Sequence, residues 1–239
     1  MKRNLLATVA LGALALGTPA SAADLALKAP PLAPPVYDWS GFYIGGFGGY
    51  GFGNQNVNNA AGPVGFRNFT ANFETHGPLA GGEVGYNWMV GQILFGIEGD
   101  GAWTNIQGND NFALGWNDAN HLKAVGSLRV RGGITVDRLL LFFTGGWAIG
   151  DIDHTNTDAF GVVDTFSAHR SGLAAGGGVA YAITNNVIGK IEYRYYDLGT
   201  YHRDAPTNAV LPYTVANTYS TVLLGLDFKF GGGPLVAKY

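Results

Sequence analysis

The sequence contains no cysteine, which excludes a disulfide scaffold and any thiolate-bound metal centre. Charge is scarce as well. Asp, Glu, Lys and Arg make up 13% of the 239 residues, and the formal net charge is −3. Fourteen Lys and Arg, scattered among seventeen acids, do not assemble the basic surface that a nucleic-acid partner requires. From Trp39 onward no window sustains a 3.6-residue apolar period, so amphipathic helices are excluded from the body of the chain. Disorder is excluded too, because 47% of the residues are hydrophobic and net charge is low. What is abundant is glycine, at 38 positions, and aromatic residues, at 13%. That combination suits a barrel in which every second residue faces lipid.

The first 22 residues read as an export leader. Lys2 and Arg3 form a basic start, Leu5 to Leu16 an uncharged apolar stretch, and Ala20-Ser21-Ala22 the small residues that a signal peptidase accepts. The apolar stretch is shorter than the roughly 20 residues needed to span a bilayer as a helix. Residues 23–38 follow as a spacer rich in proline (Pro30, Pro31, Pro34, Pro35), which favours extended backbone outside any sheet.

Between residues 39 and 230 the pattern predicts an eight-stranded antiparallel up-and-down transmembrane β-barrel, with residues 231–239 as a tail. The expected strands are Trp39–Gly53, Leu79–Trp88, Gln92–Trp103, His121–Thr135, Leu139–Gly150, His169–Ile183, Val187–Leu198 and Tyr219–Phe230. Short links (Met89–Gly91, Val136–Arg138, Thr184–Asn186) alternate with long ones (Asn54–Pro78, Thr104–Asn120, Asp151–Ala168, Gly199–Thr218). In a meander this places the four long loops at one end and the short turns at the other.

Charge follows strand parity. Glu98 and Asp100 oppose Ile93, Phe95, Ile97 and Trp103; Lys123, Arg129 and Arg131 oppose Leu122, Leu128, Val130 and Ile134. Lys190, Glu192 and Arg194 oppose Ile191, Tyr193 and Tyr195; Asp227 and Lys229 oppose Leu224, Leu226, Phe228 and Phe230. Chance would give that segregation about once in 64 trials under the period-2 rule. Parity does not say which face points inward, but the export signal and strand lengths near 10 residues put the apolar face toward lipid. The interior then carries Glu83, Glu98, Asp100, Lys123, Arg129, Arg131, Lys190, Glu192, Arg194, Asp227 and Lys229. They form either a charged pore lining or a salt-bridged plug, and the width of eight strands favours the plug. Aromatic residues near strand ends (Phe42, Tyr50, Phe52, Trp88, Trp103, Trp147) suit interfacial girdles. The fifth strand, Leu139 to Gly150, is apolar on both faces, and parity does not orient it.

The stretch AADLALKAPPLAPPVYDWSGFYIGGFGGYGFG resembles the start of mature small outer-membrane β-barrels of alphaproteobacteria, in the Opa/OmpA-like superfamily. GGEVGYNWMVGQILFGIEGD, YAITNNVIGKIEYRYYDLG and GLDFKFGGGPLVAKY extend the resemblance along the chain. It implies location in the outer membrane among lipid and lipopolysaccharide, long loops at the cell surface, and insertion by the barrel-assembly machinery. Gly225, Phe228 and Phe230 resemble the assembly signal of a final strand, although nine residues follow Phe230. Ala180 departs from the Glu found in many relatives.

Four patterns invite chemistry. Gly46-Phe47-Gly48-Gly49-Tyr50-Gly51 matches GxGxxG but lies within one alternating strand, without the helix a dinucleotide site needs. Asp151, Asp153, His154 and Asp158 suggest a cation loop, yet miss the EF-hand positions. The five histidines (His76, His121, His154, His169, His202) sit in or beside long loops, where haemin ligation is one reading and ordinary loop polarity another. His169 and Ser171 share a strand face in the manner of a hydrolase pair, with no carboxylate apparent to orient the imidazole. No cofactor, metal or catalytic residue is expected. The expected function is a structural role in the envelope; a small-solute porin, or a surface receptor or adhesin whose loops hold an extracellular ligand such as haemin, are the alternatives.

Overall fold

Alternating apolar and small or polar residues, punctuated by turn formers, produce eight strands of 17 to 21 residues. In a computed structural model that describes residues 37–59, 70–111, 117–157, 163–203 and 213–231, they are β1 (Gly41–Asn59), β2 (Thr70–Val90), β3 (Ile93–Asn111), β4 (Asn117–Val136), β5 (Leu139–Thr157), β6 (Val163–Ala182), β7 (Val187–Arg203) and β8 (Tyr213–Phe230). Each strand pairs antiparallel with its sequence neighbours, and β1 pairs with β8 to close the barrel. The leader, most of the spacer and residues 232–239 lie outside the described residues.

Two short hairpins turn on Gly91 (φ 63°) and Asp137 (φ 50°), residue types that tolerate left-handed backbone. At the other end the strands run well past the expected limits. Asn58↔Thr70 and Asn111↔Asn117 are still paired. The apolar pattern stops at the edge of the hydrocarbon, but backbone pairing does not, because cross-strand polar contacts continue it in water. Ser167 donates to Asp153 at 2.7 Å, and the Thr214 hydroxyl and the His202 ring nitrogen lie 3.0 Å apart. Between β6 and β7 the ladder covers only Leu173↔Asp197 to Ala182↔Ile188, so these two arms separate beyond it.

The outer face carries Ile93, Phe95, Ile97, Leu128, Val130, Ile191, Leu224 and Leu226, all exposed. Over β3 this band extends from Ile93 to Trp103, the crossing length of a tilted strand. The six girdle aromatics all point outward. The fifth strand is now oriented: Leu141, Phe143, Trp147 and Ile149 face out, while Leu140, Phe142, Ala148 and Ile152 are buried.

Two expectations are corrected. The register of β4 shifts between Leu122 and Ala124, a β-bulge that reverses parity above it. Lys123 is therefore thrown outward, its side chain 52% exposed and ion-paired with Asp153, while Leu122 turns into the core. Trp39 is not in the first strand. Gly41 (φ 130°) turns the chain there, and a side chain at that corner would strike the Phe230 carbonyl. Residues 37–40 instead lie against the short turns. The Trp39 indole donates to Asp137 O at 3.0 Å, and the Tyr37 hydroxyl donates to Asn185 O at 3.1 Å. Burial pushes the Tyr37 phenol up to about 12, so it serves as a neutral donor.

The period-2 rule assigns adjacent residues of β4 to opposite faces. Leu128 is 60% exposed on the apolar band, whereas the Ser127 hydroxyl donates to Asp100 inside. Leu128→Arg should therefore cost about 2–4 kcal/mol, less in thin bilayers where the charge reaches the headgroups. Ser127→Arg should be harmful to a degree independent of lipid thickness. Refolding both variants into short- and long-chain lipid vesicles measures this; a thickness-dependent penalty at Ser127 would invert the assignment.

Candidate functional site

The interior is stratified. Along β3 the inward residues read Leu94, then Glu98 and Asp100, then Ala102 and Ile106; along β7 they read Ile188, then Lys190, Glu192 and Arg194, then Tyr196 and Leu198. A charged layer is thus held between two apolar ones. The layer at the short-turn end comprises Trp39, Leu94, Leu140, Phe142, Ala180, Ala182 and Ile188. The layer at the long-loop end comprises Phe47, Leu79, Ile106, Leu122, Ile152, Leu198 and Leu223, among others.

Within the charged layer most ions have several opposite partners. The Arg129 guanidinium contacts Glu98, Asp100 (3.0 Å) and Glu192 (2.7 Å), and donates to the Thr144 hydroxyl at 3.0 Å. Arg194 reaches Glu83 at 3.0 Å, Glu192 at 2.8 Å and Asp100 at 3.2 Å, with its guanidinium 4.7 Å from the Phe47 ring. Lys190 pairs with Glu83, and Glu98, Glu192 and Asp227 lie 3.8 Å from its ammonium. Arg131 meets Glu98 at 3.4 Å and stacks 3.8 Å over Phe142. The Tyr43 hydroxyl donates to Glu98 at 2.6 Å and accepts from Arg131 at 3.2 Å. Glycine makes the room: a Cβ on Gly45 would overlap the Asp227 carboxylate, and one on Gly85 the Tyr43 hydroxyl.

Glu83, Glu98 and Glu192 bring oxygens within 4.8 Å of one another, a geometry that by itself would suit a metal ion. Lys190, Arg129 and Arg194 already occupy the space between them. Lys229 stands apart from this cluster. It is buried, donates to the Asp38 carbonyl and sits 4.5 Å from the Tyr37 ring, so it anchors the cap rather than the plug. Ala180 lies in the lower apolar layer opposite Lys190, whose ammonium is supplied by Glu83 instead.

The remaining sequence patterns separate by face. Gly46–Gly51 is ordinary strand within β1. The supposed cation loop is dismantled by alternation: Asp151 pairs with His169, Asp153 accepts from Lys123 and Ser167, and His154 turns inward to stack 5.0 Å from Phe166. Asp158 lies outside the described residues. His169 does have a carboxylate partner, contrary to expectation, because the register sets Asp151 directly opposite it. Among the described residues no hydrogen bond joins Ser171 to that imidazole. His202 bonds Thr214 at 3.0 Å. His76 and His121 line one outer groove whose other walls are largely amides and carboxylates, unlike the apolar faces a porphyrin takes. In β8, Gly225 faces inward against the Lys190 stem, while Phe228 and Phe230 are exposed outward at the short-turn end with rings 5.1 Å apart.

The cluster makes a ranked prediction. Arg129→Ala takes a buried cation away from three carboxylates at once and should cost about 3–5 kcal/mol. Arg131→Ala, with one carboxylate at 3.4 Å and an aromatic ring as its second partner, should cost less. The temperature at which the folded band disappears on SDS gels should fall in that order. Unchanged temperatures would contradict a paired interior.

Comparison with known proteins agrees with this architecture. The family described as "Outer membrane protein beta-barrel domain" matches residues 8–230. The 22 kDa outer membrane protein of Rhizobium leguminosarum is 31% identical over 204 residues, covering 82% of this chain and 80% of that relative. The 25 kDa outer-membrane immunogenic protein of Brucella abortus is 29% identical over 234 residues, covering 94% of this chain and 97% of that relative. Similar solved structures include OprG of Pseudomonas aeruginosa (TM-score 0.47, 14% identity, 80% of this chain and 96% of that one) and Ail of Yersinia pestis (TM-score 0.38, 15% identity, 77% and 99%). The closed eight-stranded sheet, its apolar girth and the match over residues 8–230 together make the chain a member of the outer-membrane β-barrel protein family, located in the outer membrane.

Proposed function

We propose that the protein is a non-conducting structural barrel that contributes to envelope integrity and presents four long hairpin arms at the cell surface. The observation that carries this reading is the stratified interior. A conducting lumen needs a continuous polar path, and here the charges are enclosed by apolar layers above and below. Trp39 covers one end, while Ile106, Leu122 and Ile152, all fully buried, fill the other. Mixed charge inside a barrel of this width serves as cross-bracing. A small-solute porin is disfavoured on the same ground.

Outward arms also fit the word immunogenic in the name of the Brucella relatives. The exposed aromatic pair Phe228 and Phe230 on β8 supports recognition by the barrel-assembly machinery during insertion.

Two measurements test this reading. Planar bilayers holding the refolded protein should show no steady single-channel steps. Trp39→Ala should remain silent as well, because the second apolar layer stays intact; well-defined steps in the unaltered protein would refute closure. In intact cells, tags at Asn58 and Asp110, and at Asp158 and Thr207 outside the described residues, should react with a membrane-impermeant label. A tag in the short turn at Asn185 should not, and its labelling would reverse the topology.

A further inference from the structure

Three features succeed one another up the outer face of β3, β4 and β5. Lowest is a slot of about 320 Å³ between Trp103 and Ile149, floored by Gly101, Ala124 and Gly126, with Asp151, on the His169 imidazole, at its upper rim. A Cβ on Gly101 would meet nothing within 4 Å, so the slot is open, and Trp103, at 80% exposure, forms its free wall. It opens on the upper margin of the apolar band. Next above it is Lys123, displaced outward by the bulge, with its ammonium on Asp153. Highest is a polar groove of about 790 Å³, into which Glu74, Asn105, Gln107, Asn109 and His121 project, with Tyr50 at its side.

The groove has a structural cause. A barrel wall is convex outward, but β3 and β4 each break register here, between Trp103 and Ile106 and between Leu122 and Ala124. Bulges bend strands locally, and two side by side hollow the wall. Glycine permits the close approach this needs: a Cβ at Gly77 would collide with Asn105 O, and one at Gly108 with Glu74 O.

We infer that these features form one binding site for a glycolipid of the outer leaflet: an acyl chain in the slot, an anionic group at Lys123 and headgroup sugars in the groove. The vertical order of the site is that of such a molecule. Amides and carboxylates suit adjacent hydroxyls, which they engage in pairs, and an aromatic ring suits the apolar face of a sugar. Glu74 disfavours phosphate in the groove, and the cation beside it is Lys123, whose ammonium the anion would share with Asp153. An ammonium has three donors, so Asp153 does not exhaust it. The site depends on the loops facing outward, as proposed above. Its binding assay uses purified barrel, so an inverted topology and an absent site give different results.

The test is native mass spectrometry of the refolded full-length mature barrel in detergent, titrated with purified rough lipopolysaccharide, with lipid A lacking core sugars, and with free core oligosaccharide. One lipopolysaccharide should be retained per barrel. Gly101→Phe, which fills the slot, should weaken both lipid probes about tenfold, the scale of one lost apolar contact surface. Asn105→Ala with Gln107→Ala should weaken lipopolysaccharide to the level of lipid A and leave lipid A unchanged. Gly145→Phe, which adds the same bulk lower on β5 where a Cβ also meets open space, should change neither. Heat-modifiable migration verifies folding, and Trp103→Ala serves as a second slot variant. The site is refuted if the groove variant binds lipopolysaccharide like the parent, if Gly145→Phe weakens it as much as Gly101→Phe does, or if free oligosaccharide binds as tightly as lipopolysaccharide.

Discussion

A strand that enters hydrocarbon carries a donor and an acceptor at every residue, and each one left unpaired costs several kcal/mol. The pairing of β1 with β8, from Phe42↔Phe230 to Asn59↔Tyr213, removes that cost for the two strands that would otherwise be edges. Closure then dictates the rest. It fixes an inside too narrow for an open channel yet wide enough for large side chains, and it makes the two faces of every strand belong to different solvents. Outside, the solvent is lipid and the requirement is only apolarity. Inside, each charge must find an opposite charge within the barrel.

The interior meets that requirement by layering. Apolar packing alone would fill the space, but inward glycines on β6 and β1 leave gaps that side chains of other strands must fill. Gly176 on β6 faces the Glu192 carboxylate of β7, Gly178 faces the Phe142 ring of β5, and Gly45 on β1 faces the Asp227 carboxylate of β8. Arg194 alone touches acids from β2, β3 and β7. One guanidinium thereby braces strands that are not neighbours in the sheet, which backbone pairing does not do. The cap adds a further tie, since Tyr37 and Trp39 bond turns between β6 and β7 and between β4 and β5.

Much of this was legible in the sequence because period-2 alternation is a local property. Charges on β3, β7 and β8 needed no knowledge of neighbours to be assigned to one face. What was illegible depends on register. Lys123 shares the sequence parity of Arg129, and nothing in SLRV or HLKA announces the bulge that separates them. Asp151 and His169 are eighteen residues apart, and only the β5–β6 pairing sets them opposite each other. The fifth strand lacks charge on either face, so Leu140 and Leu141 are chemically alike and only closure decides between them. Trp39 looked like the first residue of an alternating run; the turn at Gly41 is visible only as a backbone angle.

Buried ion clusters are poor sources of net stability, because the desolvation of each charge offsets most of its Coulomb gain. Their value here lies in what a wrong structure would cost. Slipping β4 by one residue would send Arg129 and Arg131 out to the positions of Leu128 and Val130, in contact with lipid. Each arginine near the midplane costs about 2–4 kcal/mol, and each would also withdraw a partner from its carboxylates inside. Slipping β7 would expel Lys190 and Arg194 in the same way. Strands rich in Gly, Ala and Leu have little else to choose between neighbouring registers, since apolar residues are tolerated on both faces. β5 and the glycine-rich stretch of β6 are of this kind, and they lie between β4 and β7, the two strands that carry the most buried cations. The charged layer therefore acts chiefly through specificity: it leaves the correct register no more stable than an apolar core would, and makes the adjacent registers untenable.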